Sequence, residues 1–335
     1  MHIFIFIIIQ ILISFLLIYF CKKNNFLLNL SGNKHQEFAT EKKIPLIGGV
    51  IIFSMILFSS FRNFNIFLIF LFAIFLVGLL SDLKKFNSPI FRLLAQFFLI
   101  LICVYFLDID LNFTRVNFLD YLLSNYLFAL VFTSFCILII VNGTNFIDGI
   151  NSLVFGYYII VSFAIFILKR EGFNIDFFFP ITFLIPSLIL LFFLNIYNKL
   201  FLGDSGSYLL GFLFSIELIN FYLNNLNISP FFIILLLWYP AFENLFSILR
   251  KINLNKSPIY PDTNHLHQLI FSFFRKKNFS VLKSNNFTGI FINLYNIAVI
   301  SLSMIDPYHT QLQIILIILN LSVYCFFYMR LFKYR

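Results

Sequence analysis

The chain has 335 residues, 61% hydrophobic and 11% charged, with a mean hydropathy of +0.96. A soluble domain is near a quarter charged, so the composition excludes a soluble globular protein. The formal net charge of +9 would suggest a nucleic-acid partner for a soluble protein. In a membrane protein it reports topology instead, and no nucleic-acid partner is expected.

Apolar runs of spanning length recur from end to end and predict an all-α, polytopic integral membrane protein. About eleven transmembrane helices are expected, near 3–20, 45–60, 65–80, 89–107, 121–141, 152–168, 177–194, 206–223, 230–249, 289–305 and 311–330. The first run has no basic residue before it and Lys22-Lys23 after it. That order argues for an anchor helix with its N-terminus outside, rather than a cleaved signal peptide. Alternating loops then place nineteen of the 23 Lys and Arg residues on one face and leave Arg62, Arg115, Lys169 and Arg170 on the other. The positive-inside rule makes the first face cytoplasmic, with the C-terminus inside. The expected location is the inner (plasma) membrane. The four cysteines, Cys21, Cys103, Cys136 and Cys325, sit in or beside apolar runs without metal-like spacing and read as reduced, packed thiols. Residues 1–335 form a single transmembrane domain, with inner segments 21–45, 81–89, 142–152, 195–206 and 250–288.

The outer loops, 108–120 and 169–176, carry mixed charge and read as solvated connections. The inner face is different. Its first unusual segment is Lys42-Lys43-Ile44-Pro45-Leu46-Ile47-Gly48-Gly49. Pro45 suits a first helical turn, and the glycines let another backbone or a ligand approach closely; helix packing through small residues is the ordinary alternative. The second is Ser81-Asp82-Leu83-Lys84-Lys85, with Arg92 one turn into the next helix. Read alone, it is an interfacial ion-pair cluster.

The third segment, 142–151, places Asn142, Asn145, Asp148 and Asn151 at every third position. In a straight helix that spacing drifts about 60° per step and fans the side chains apart. Gly143 and Gly149 predict instead an irregular turn that converges them. Four such residues exceed what a helix cap needs. The fourth segment, Gly203-Asp204-Ser205-Gly206-Ser207, precedes a span. The N–H groups of a helix start attract phosphate oxygens, and a carboxylate beside them can hold a bridging divalent cation. The fifth is Pro261-Asp262-Thr263-Asn264-His265-Leu266-His267-Gln268. Its histidines lack zinc spacing, and imidazoles bonding a phosphate fit better, with Arg250, Lys251 and Lys256 upstream. Acids, bases and glycine turns gathered on one face suit a metal-bound nucleoside diphosphate.

In order, sidedness and spacing, these segments resemble one family over nearly the whole chain: the polytopic polyprenyl-phosphate N-acetylhexosamine-1-phosphate transferases of the glycosyltransferase family 4 type. The resemblance implies transfer of a sugar-1-phosphate from a UDP-N-acetylhexosamine to a membrane polyprenyl phosphate. UMP is released, and Mg²⁺ is the cofactor, with Mn²⁺ as a substitute. It implies Asp82, Asp204, His265 and His267 as catalytic residues. Asp204 would be the metal ligand, with Asp148 beside it. Asn142, Asn145, Asp148 and Asn151, joined by Lys43, would face the nucleotide. A homodimer is admitted as the assembly.

Three positions depart from the family pattern. Ser81 stands where the first of two paired aspartates is usual, Asn151 where a second aspartate follows Asp148, and Gln268 where the histidine loop ends in a further His. These departures favour direct attack by the dianionic lipid phosphate over an Asp-Asp mechanism. They also favour a surface-polysaccharide-initiating, GlcNAc-type donor over the muramyl-pentapeptide of the peptidoglycan branch. A transporter is the alternative from another class, with Glu217 and Glu243 as its intramembrane carboxylates. Glu243 lies near the inner end of its helix and close to Arg250, where it is placed to contribute to the site; Glu217 is more central and has no evident role in the sequence.

Overall fold

The structure is a computed structural model that describes residues 2–29, 44–60, 65–179, 181, 184–255, 257 and 263–334. The described residues form helices in chain order: α1 (His2–Asn24), α2 (Gly48–Ser59), α3 (Ile66–Asp82), α4 (Pro89–Leu107), α5 (Asn117–Leu123), α6 (Tyr126–Ile147) and α7 (Leu153–Arg170). They continue as α8 (Leu184–Ile196), α9 (Gly203–Leu223), α10 (Pro230–Leu236), α11 (Trp238–Asn253), α12 (Leu266–Lys276), α13 (Val281–Ser303) and α14 (Thr310–Tyr334). Isolated bridges, Leu28 with Pro45 and Leu46 with Phe201, are the only β pairing among the described residues. The all-helical, polytopic membrane architecture is as expected.

Each predicted apolar run contains a helix, but the helices differ in reach. Among the described residues, seven are long and apolar enough to cross a membrane, and an eighth is if α10 and α11 count as one broken span. The apolar helices α2, α3 and α8 are shorter, at 12, 17 and 13 residues. The predicted straight span over 230–249 is instead bent by 82° between α10 and α11. Pro240 has no N–H for the carbonyl of Leu236, the last residue of α10, and its ring crowds that carbonyl. A second difference is α12, an amphipathic helix inside a stretch read as loop.

At the centre lies α9, buried on nearly every side and packed against α2, α3 and α6. A helix can be surrounded in this way only if its neighbours come close. A Cβ added at Gly78 of α3 would lie 2.4 Å from Ser205 Cα, and one at Gly143 of α6 would lie 2.0 Å from the Pro240 carbonyl oxygen. Gly143 therefore serves helix packing, not a turn. Glu217, fully buried on α9, accepts from Phe179 N at 2.7 Å and Phe178 N at 3.1 Å. It satisfies the backbone of the irregular segment before α8, which accounts for this intramembrane carboxylate without a transport pathway.

The loop over 108–120 is not a plain solvated connection. Arg115 donates to the carbonyls of Leu226, Asn227, Ile228 and Tyr308 and to Thr310 Oγ1. Asp120 accepts from both N and Oγ1 of Thr114 at 2.6 Å. A single guanidinium thus ties together the chain ends that close α9, α10 and α13 on the face opposite the site.

Two substitutions test this packing. Gly78→Ala drives a methyl into the α9 backbone and should cost about 1–3 kcal/mol, read as a lower Tm in detergent. Arg115→Ala should likewise lower Tm, because five acceptors lose their donor at once.

Candidate active site

The site is assembled where α3 ends, α4 begins, α6 ends and α9 begins. The segment carrying Pro45 braces it from one side. Phe201 N donates to Pro45 O at 2.8 Å, while Gly48 N and Gly49 N donate to the carbonyls of Phe201 and Leu202, each at 3.0 Å. The close approach foreseen at Gly48 and Gly49 is therefore to protein backbone. Lys43 lies outside the described residues. So does Asp262.

Gly203 has φ +78°, a left-handed conformation that a side chain would strain, and a Cβ there would meet Asp82 Oδ2 at 2.7 Å. The chain turns sharply there and presents the first N–H groups of α9 to Asp82. Asp204 N donates to Asp82 Oδ1 at 2.8 Å and Ser205 N to Asp82 Oδ2 at 3.0 Å. The helix start expected to offer these groups to a phosphate is instead capped by a carboxylate from α3. The cap comes from 122 residues earlier in the chain.

That cap sets Asp204 at the mouth of the site. Its Oδ2 accepts from Ser81 Oγ at 2.5 Å and from Arg92 Nη1 at 2.9 Å. Arg92 Nη1 also donates to Ser81 Oγ. Ser81, which departs from the family pattern, thus adds a neutral donor where a carboxylate would add a like charge. Asp204 Oδ1 accepts no described hydrogen bond.

Helix α6 continues through Ile147, so Asn142 and Asn145 are helical rather than part of an irregular turn. Asn142 and Asn145 fan out as a helix dictates, while Asp148 and Asn151 lie in the turn that follows. Asn142 donates to Gln96 Oε1 of α4 at 2.9 Å and to Leu138 O at 3.0 Å. Asn145 accepts from Ser207 Oγ at 3.0 Å. Asp148, the first residue past the helix, accepts from Gly203 N and lies close enough to Asp204 and Asp82 to feel both charges. Asn151 turns away from these groups. Its backbone N donates to Asn285 Oδ1 and its Nδ2 to Asn198 Oδ1, each at 2.6 Å. It stitches α7, α8 and α13 together, and its amide can donate where a carboxylate could not.

The histidines form the far wall. His265 Nδ1 lies 3.0 Å from Glu243 Oε2, and His267 Nδ1 lies 3.9 Å from Glu243 Oε1. The two rings stack with centroids 5.3 Å apart, and Phe146 lies against His265. Gln268 Oε1 accepts from His265 N at 3.1 Å, so the third departure satisfies a backbone donor at the start of α12. A Cβ at Gly149 would sit 3.7 Å from His267 Nε2. The Asp148–Gly149 turn therefore joins the carboxylate cluster to the histidine wall. Gln96 was missed in the sequence, although a Gln one turn beyond Arg92 in an apolar run is a legible signal.

The donor set fits a divalent cation of a particular kind. No group of three or more His, Cys, Asp or Glu forms a complete metal site among the described residues. Magnesium needs only one or two carboxylates when substrate phosphates and waters supply the rest. Asp82 is committed to backbone N–H groups, which leaves Asp204 and Asp148. Burial pushes the Asp148 carboxyl well above its usual range, and the charges of Asp204 and Asp82 push it further. A bound cation would relieve that repulsion.

The sign of a stability effect follows. A carboxyl raised in the fold favours folding below its unfolded value and opposes it as pH rises and the group must ionise. Without added metal, Asp148→Asn should raise Tm in detergent at neutral pH. The gain should disappear below about pH 4, where both states are protonated.

The model of glycosyl transferase family 4 matches residues 64–222, the stretch holding Ser81, Asp82, Arg92, Asp148 and Asp204. A probable undecaprenyl-phosphate N-acetylglucosaminyl 1-phosphate transferase of Bacillus subtilis is 34% identical over 146 residues, 43% of this chain and 40% of the relative. An undecaprenyl-phosphate alpha-N-acetylglucosaminyl 1-phosphate transferase of Thermotoga maritima is 27% identical over 266 residues, 78% of each chain. A decaprenyl-phosphate N-acetylglucosaminephosphotransferase of Mycolicibacterium smegmatis is 29% identical over 153 residues, 38% of this chain and 37% of the relative. The matched region thus spans about two fifths of the Bacillus and Mycolicibacterium relatives and most of the Thermotoga one. Over residues 64–222 the chain is similar to glycosyl transferase family 4, and the Thermotoga relative extends the likeness to 78% of the chain.

Proposed function

We propose that this protein transfers an N-acetylhexosamine-1-phosphate of the GlcNAc type from a UDP-sugar to a membrane polyprenyl phosphate, releasing UMP. In this reading the site faces the cytoplasm from the inner (plasma) membrane and initiates a surface glycan. The observation that carries the proposal is the convergence of Asp82, Arg92, Asp148 and Asp204 at the adjoining ends of α3, α4, α6 and α9. The relatives' names and the bias of Lys and Arg toward one face support the same reading.

Each residue has a distinct task. Asp204 and Asp148 would hold Mg²⁺, which when bound neutralises phosphate charge. Arg92 sits against Asp204 and can turn its guanidinium to an incoming phosphate oxygen. Asp82 fixes the start of α9 through two backbone bonds, which leaves it poorly placed to act as a nucleophile or base. Asn145, anchored by Ser207, offers its amide to the nucleotide.

A polyprenyl phosphate is largely dianionic at neutral pH because its second pKa is near 6. One of its oxygens attacks the β-phosphorus in line. A new P–O bond forms, the bond from β-phosphorus to the bridging oxygen breaks, and that oxygen leaves with UMP. No proton need be removed from the nucleophile. Catalysis then rests on alignment and charge neutralisation. Ser81, in place of a carboxylate, is consistent with this route.

Purified protein should form lipid-linked sugar from labelled UDP-HexNAc and undecaprenyl phosphate with Mg²⁺; no product with any UDP-sugar would refute the proposal. Asp204→Asn should reduce kcat by about 10²-fold or more while leaving Tm nearly unchanged. Asp82→Asn should lower both activity and Tm, because it weakens the cap. A trapped glycosyl-phosphoryl-enzyme dependent on Asp82 would overturn direct attack.

A further inference from the structure

We infer that Glu243 is the positioning residue of the nucleotide-sugar end of the site, holding His265 and His267 in the form that binds pyrophosphate oxygens. This rests on the transferase reading above. Glu243 is 1% exposed and lies on α11, beyond the matched family region. A carboxylate so deeply buried needs partners. Its Oε2 meets His265 Nδ1 at 3.0 Å, while Oε1 accepts from Leu266 N and from Tyr239 OH, each at 3.2 Å. Oε1 also lies 3.9 Å from His267 Nδ1.

The chemistry of this arrangement is directional. An ionised carboxylate only accepts hydrogen bonds, so His265 Nδ1 must carry a proton. A phosphate oxygen also only accepts. An imidazole serving Glu243 through Nδ1 and a phosphate through Nε2 must be protonated at both nitrogens. Glu243 thereby selects the doubly donating cation when the donor substrate is present. Stacking with His267 and contact with Phe146 fix the ring plane. His267 stacks on that ring beneath the Asp148–Gly149 turn and so extends the wall toward the carboxylate cluster.

A helix cap alone would need less. Leu266 N, in the first turn of α12, is satisfied by one oxygen, and a neutral amide would serve it equally. The second oxygen is used on the imidazole. Glu243→Gln separates the roles: its carbonyl can still cap α12, but its NH₂ against Nδ1 forces that nitrogen to accept.

The test uses the full-length protein in detergent. It measures calorimetric binding of UDP with Mg²⁺, kcat and KM for UDP-GlcNAc, and Tm. Glu243→Gln should weaken UDP binding and lower kcat/KM by about 10–100-fold, mostly through KM, the loss expected for one charge-assisted hydrogen bond. Glu243→Asp should recover part of that loss. In a His265→Ala background, Glu243→Gln should add little. Wild-type affinity in Glu243→Gln, or effects that multiply in the double variant, would overturn the inference. Should Glu243→Gln fail to fold, His265→Asn decides: its amide keeps the bond to Glu243, so Tm should hold while UDP affinity falls, and unchanged affinity refutes the assignment. A wild type that binds UDP but makes no lipid-linked product removes the transferase reading and leaves this one to the binding measurements. A wild type that does not bind UDP removes both.

Discussion

The site depends on one interaction, the capping of α9 by Asp82. The two carboxylate oxygens take the N–H groups of Asp204 and Ser205. A helix that starts inside a membrane protein has several N–H groups without intrahelical partners, and burying them unpaired is costly. An external carboxylate satisfies two at once and lies at the positive end of the helix dipole. Because the cap comes from the end of α3, it also locks two helices together. Asp204 is thereby fixed at the junction with α4, where Ser81 and Arg92 meet it.

Close packing makes that interaction available. Backbones approach where Gly78, Gly49 and Gly143 leave no side chain between them. Without large side chains as spacers, α9 can be enclosed by α2, α3 and α6 and its start held to a defined position. Rigid helix ends, rather than long loops, then carry the polar groups. The opposite face is held independently by Arg115 and by Glu217, whose hydrogen bonds complete the backbone of irregular segments. Both residues use charge to support the fold.

The positions that depart from the family pattern find specific partners. Ser81 donates to Asp204. Asn151 donates to Asn198 in a buried amide network. Gln268 caps the backbone of His265. In each case a neutral side chain makes a hydrogen bond that the expected ionised or aromatic group would not make in the same way. The carboxylates Asp82, Asp148 and Asp204 remain together, so the site keeps a concentration of acidic groups.

The sequence by itself determined the class of the protein and the inventory of its site. Hydropathy fixed an all-helical membrane fold because backbone polar groups in lipid must be satisfied within a helix. Motif order singled out Asp82, Asp148, Asp204, His265 and His267, because ionisable and glycine-containing segments between apolar runs are costly unless used. Only the tertiary structure decided what each residue touches. Periodicity showed that Asn142, Asn145, Asp148 and Asn151 were related, yet helix α6 and the turn after it send them to different partners. The 82° break before α11, the cap from Asp82 and the Glu243–His265 pair join residues far apart in the chain. Such contacts are set by how rigid helices pack, and local spacing carries no record of the partner on the next helix.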